Sequence, residues 1–125
     1  MHEVERAAFE GMVARAVDEL PEAFRERIAN VEFAVEEWAR SDDYARVETP
    51  PSSTLLGVYR GVPLTRRGAG YHMALPDRIV IFQGPLQRMA RGDDDLYERV
   101  RHVVRHEVAH YFGISDERLR EIEAY

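Results

Sequence analysis

Apolar positions recur at helical spacing through the first twenty residues. Ala8, Phe9, Met12, Val13, Ala16, Val17 and Leu20 predict an amphipathic helix from about Val4 to Leu20. Pro21 is tolerated at a first helical position, where an N–H would have no partner, and it opens a short second helix through Phe24 and Ile28 with Asn30 as C-cap. The period then changes to two. Val31, Phe33 and Val35 alternate with Glu32, Ala34 and Glu36, which predicts a strand with one buried face and Trp38 packing at its end. Ser41 to Thr54 is polar, contains Pro50-Pro51-Ser52-Ser53 and predicts a loop. Glu36, Glu37, Asp42 and Asp43 read as solvated acids.

The second half begins with a strand over Leu55 to Tyr59 and a turn at Arg60-Gly61. Val62-Pro63-Leu64 resumes extended chain, and Thr65 to Gly70 is a loop whose arginines are either solvated or turned toward an anionic substrate end. Arg78 to Phe82 is an apolar, β-branched run and the third strand, started by Pro76-Asp77 and ended by Gly84-Pro85. A short helix follows over Leu86 to Ala90 and stops at Arg91-Gly92. From about Asp94 to Phe112 the chain predicts its longest helix: Leu96, Val100, Val104, Val108 and Tyr111 form one stripe, and acids occupy the first turn. Ser115 can cap a last helix from Asp116 to about Ala124, with Leu119 and Ile122 inward.

The chemistry is concentrated near the C-terminus, in His106-Glu107-Val108-Ala109-His110-Tyr111-Phe112-Gly113-Ile114-Ser115-Asp116. On a helix the two histidines of this H-E-x-x-H lie about 40° apart around the axis and about 6 Å apart along it, so both imidazoles reach one metal ion. Glu107 falls between them and the core stripe, where a carboxylate can deprotonate a metal-held water without being a ligand. Gly113 stands where the helix must stop, and Asp116 then returns a carboxylate able to complete an N,N,O site. The same Asp116 also suits the first turn of the next helix with no metal, and Glu117 is its substitute as ligand. His102 lies a further turn back, and histidines at i, i+4 and i+8 rotate away from any single tetrahedral centre. Tyr71 and His72 are placed in a loop, with either a surface role or an approach to the site.

Composition narrows the classes. One domain over 1–125 suits 125 residues, with 45% hydrophobic and 32% charged. A net charge of −6 argues against a general nucleic-acid partner. Cysteine is absent, so any zinc is held by N and O donors. All seventeen basic residues are Arg, which removes lysine nucleophiles and Schiff-base chemistry. No apolar run is long enough for a membrane span and Met1-His2-Glu3-Val4-Glu5 lacks a signal's basic and apolar regions, so a cytoplasmic location is the expectation.

The motif resembles the active-site helix of the zincin metallopeptidases. Together with Leu55 to Leu64, Leu75 to Leu86 and His106 to Leu119, it resembles more closely the small bacterial minimal zincin family, over nearly the whole chain. Metzincins carry a downstream Met-containing turn, and no Met lies among Glu117 to Tyr125, so that likeness is local. The resemblance implies a compact α+β fold in which a three- to four-stranded mixed sheet packs on helices, one of them carrying H-E-x-x-H. It further implies a zinc site with His106, His110 and Asp116 as ligands, Glu107 as general base, and peptidase activity on a peptide or protein substrate. It also implies that Arg78 to Gln83 is an edge strand to which an extended substrate adds. A regulated peptidase would cut one specific intracellular partner; the rival class is a non-catalytic module in which zinc or the bare fold binds a partner.

Overall fold

Strand β3 (Arg78–Phe82) is hydrogen-bonded along both sides, which is why it reads as an unbroken apolar run. The computed structural model describes residues 1–47, 54–61, 77–114 and 118. Within them β1 (Glu32–Glu36) runs parallel to β3, pairing Glu32 with Arg78 and Glu36 with Phe82. β2 (Gly57–Arg60) runs antiparallel on the other side, pairing Gly57 with Ile81 and Arg60 with Arg78. The order β1-β3-β2 places Arg78–Phe82 in the centre of the sheet, correcting the expectation that it forms an edge. Which strand lies outermost depends on pairing between distant segments, and that is not a property of the run itself.

Alternation then separates two packing layers. Ile79 and Ile81, with Phe33, Val35 and Tyr59, join the larger core beneath α1 (Arg6–Asp18) and α5 (Asp93–Tyr111). Val58, Val80 and Phe82 form a smaller core on the opposite face, with Ala34, Ala39 and Leu55 against it. α1 crosses α5 through Phe9, Val13 and Ala16, its buried stripe. α2 (Glu22–Arg27) follows Pro21 as the sequence predicts, although its C-cap is Ile28, two residues before Asn30.

Two further expectations change. Ser41–Val47 is a helix, α3, where the polar composition predicts a loop. Asp43 anchors it: this carboxylate is fully buried, accepts the Arg40 N–H at 2.9 Å, and receives Nε and a terminal nitrogen of Arg60, both at 2.8 Å. The same guanidinium makes two bonds to Glu36, at 2.9 and 3.0 Å. Glu36 and Asp43 are therefore the carboxylates of an ion triad that fastens α3 to the sheet, and the expectation of solvated acids fails for both. The second change is α4 (Gln83–Met89), which springs directly from β3 and takes Gly84-Pro85 into its first turn, where proline's missing N–H costs no helical bond.

The N-terminal segment is bound to α4 by a polar network. Gln87 accepts the Val4 N–H at 2.7 Å, the Gln83 amide donates to Val4 O at 3.0 Å, and Arg6 Nε donates to Gln83 at 2.5 Å. His2 adds a backbone bond to Gln87 O and a 2.5 Å contact with Asp93 at the start of α5. Both glutamines are buried; the network uses both ends of the Gln83 amide and the Gln87 oxygen, which also accepts from Gln83 at 3.0 Å.

Candidate metal centre

α5 presents the site because its buried stripe leaves one face outside the core. Leu96, Val100, Val104, Val108 and Tyr111 are all buried, as their spacing predicts, and the helix spans 93–111 against an expected 94–112. It ends by the device that Gly113 suggests. Gly113 has φ +80°, its N–H reaches His110 O at 2.9 Å, and the Ile114 N–H reaches Ala109 O at 3.0 Å. Those two bonds are the paired closure of a Schellman stop, which turns the chain back just beyond His110.

On the remaining face His106 and His110 stand with ring centroids 4.6 Å apart and planes at 69°. Glu107 lies beside them, only 6% exposed, with Oε1 at 3.4 Å from His110 Nδ1. Each of the three offers a ligand atom within 4.8 Å of the others, and among the described residues no other set of His, Cys, Asp or Glu does so. Glu107 Oε1 is buried and has no hydrogen-bond donor among the described residues. Such an oxygen costs about 1–3 kcal/mol unless a water or a cation reaches it. The donor set fits a borderline divalent ion: two imidazoles and a carboxylate, with no thiolate. Asp116, the expected third ligand, and Glu117, its substitute, lie outside the described residues, as do Tyr71 and His72. His102 is exposed, with its ring centroid 6.1 Å from that of His106.

The sheet contributes a residue that the motif does not contain. Gly57, the first residue of β2, lies so close to α5 that a Cβ there would stand 2.7 Å from Val103 Cγ1 and 3.3 Å from Glu107 Cγ. It would also lie 3.1 Å from Val80 O. A bare backbone at this point lets β2 press on the helix and wall in the glutamate. Gly57→Ala is expected to cost about 1–3 kcal/mol by overpacking, read from urea denaturation, and to lower any Glu107-dependent activity in the folded fraction. No sequence signal separates Gly57 from an ordinary strand glycine. Further along β2, Tyr59 donates to the buried Asp77 at 2.9 Å and meets Tyr111 edge-on, with centroids 5.5 Å apart, tying the strand to the last turn of α5.

No curated protein matches the chain significantly. Among solved structures, a conserved hypothetical protein from Thermo thermophilus is similar in fold, with a TM-score of 0.59 at 22% identity, over 87% of this chain and 94% of that one. The family model for zincin-like metallopeptidases matches residues 28–125, which include β1, β2, β3 and the whole His106-Glu107-His110 helix. The chain belongs to the zincin-like metallopeptidase family.

Proposed function

We propose that this protein is a zinc-dependent peptidase in which His106, His110 and Asp116 hold the metal and Glu107 moves the proton. The observation that carries this reading is the Glu107 carboxylate, buried beside two imidazoles, with one oxygen that no described residue donates to. Purely structural carboxylates at such depth are paired. When bound, the metal acidifies a water and polarises the carbonyl it faces. Glu107 accepts the proton from the attacking water and delivers it to the leaving amine nitrogen, and its burial keeps bulk water from competing for that proton. The His110 ring, 3.4 Å away, helps to orient the carboxylate. A substrate in extended form lies along β2, the strand that meets α5 at Glu107. The substrate class this reading takes is a single intracellular protein target rather than peptides at large.

Elemental analysis of tag-free protein tests the ligand set. About one zinc per chain is expected in the wild type, with less retained in both His106→Ala and Asp116→Ala. Undiminished zinc in either variant would remove that residue from the set.

A further inference from the structure

α5 carries three histidines on one face, at positions 102, 106 and 110, and the site described above uses two of them. Ring centroids are 6.1 Å apart between His102 and His106, with planes at 34°, and 4.6 Å apart between His106 and His110. Two imidazoles that ligate one tetrahedral zinc at ordinary bond lengths place their ring centres about 5.3 Å apart. Both gaps fall within about 1 Å of that value, a difference that small side-chain rotations absorb. His106 thus stands within side-chain reach of a chelate with either neighbour. They differ in surroundings. The inner pair adjoins buried Glu107; the outer pair opens to solvent through exposed His102.

Charge near the outer pair is mixed: exposed Arg105, three residues after His102, is positive, while the other two arginines nearby are paired. Arg99 is held by Asp95 at 3.1 Å and Arg101 lies 3.7 Å from Glu98. Glu98 stands one turn before His102, so the carboxylate that offsets Arg101 also lies beside the outer pair.

We propose that His102 and His106 form a second, outer chelate for a borderline divalent cation, overlapping the inner site at His106. A neutral imidazole has one free ring lone pair, so the two positions are occupied alternately. The outer pair is a landing position. An ion arriving from solvent meets His102 first and moves inward by exchanging His102 for His110, while His106 keeps its hold. At equilibrium the inner position wins, since more donors converge on it.

The proposal borrows only His106 from the peptidase reading, and the two can fail separately. Cobalt(II), whose visible absorption reports its coordination, is titrated into tag-free His110→Ala and into the double variant His102→Ala/His110→Ala, with circular dichroism confirming that both are folded. The single variant is expected to bind one cobalt per chain, and the double variant to bind it about tenfold more weakly or worse. His2 is common to both proteins and cancels. No cobalt uptake by the folded single variant, or equal uptake by both, overturns the outer chelate even where the wild type retains its zinc. As a second measurement, zinc uptake by chelator-stripped protein is followed in His102→Ala, where loading is expected to slow severalfold with final affinity unchanged. An unchanged rate overturns the landing role.

Discussion

Glu107→Gln is expected to retain the metal and to lower peptide hydrolysis by about a thousandfold. The amide keeps the shape of the side chain, so its fit beside Gly57 is preserved, but it cannot take a proton from water. The variant should also be more stable than the wild type when both are stripped of metal. A buried carboxylate with an undonated oxygen is a standing cost, and a neutral amide there costs less. Hydrolysis rates on a verified substrate, zinc content and melting temperature together separate the possibilities. Equal hydrolysis by the variant would end the general-base assignment. Lower activity with lower zinc would instead make Glu107 a ligand.

The second large effect lies on the opposite face of the sheet. Arg60→Met should cost about 3–5 kcal/mol in urea denaturation, since it leaves fully buried Asp43 and half-buried Glu36 without their shared cation. The triad also gives stability a pH dependence. Burial works against ionisation of Asp43, but the Arg60 hydrogen bonds, the Arg40 N–H and the neighbouring positive charges outweigh it and hold the carboxyl below the usual range. Hydrogen bonding to Arg60 lowers Glu36 likewise, against its own burial. Asp43 is the first cause of the upward shift of Arg60, so the guanidinium stays charged throughout. Because both folded-state values lie below the unfolded ones, near about pH 4, the contribution is complete above that pH and is lost as pH falls through the folded values. Asp43→Asn should therefore flatten the acid limb of the stability profile while lowering the neutral plateau. An acid limb as steep as the wild type's would show that other carboxylates control it.

The features legible in the sequence are those written within one turn or one strand. His106 and His110 come together because the helical period brings them together, and the burial of Glu107 follows from its angle to the Leu96–Tyr111 stripe. The stop at Gly113 follows from the one residue type that adopts positive φ without penalty. The features hidden from it depend on partners far along the chain. Arg60 meets Asp43 across 17 residues and Glu36 across 24, and without that meeting Ser41–Val47 is simply a polar stretch. Gly57 meets Glu107 only once β2 is laid against β3, and β3 is central only because β1 joins its other side. The spacing after Gly113 points to Asp116 as third ligand, and that residue lies outside the described part of the fold.

The bonds from Val4 and Arg6 to Gln83 and Gln87 have a consequence in time. They span 77 to 83 residues of sequence, so Val4 and Arg6 cannot be fastened to α4 until α4 has been synthesised and has folded. During synthesis these two residues wait for α4, so their docking is a late, non-local step rather than part of the local folding of α1.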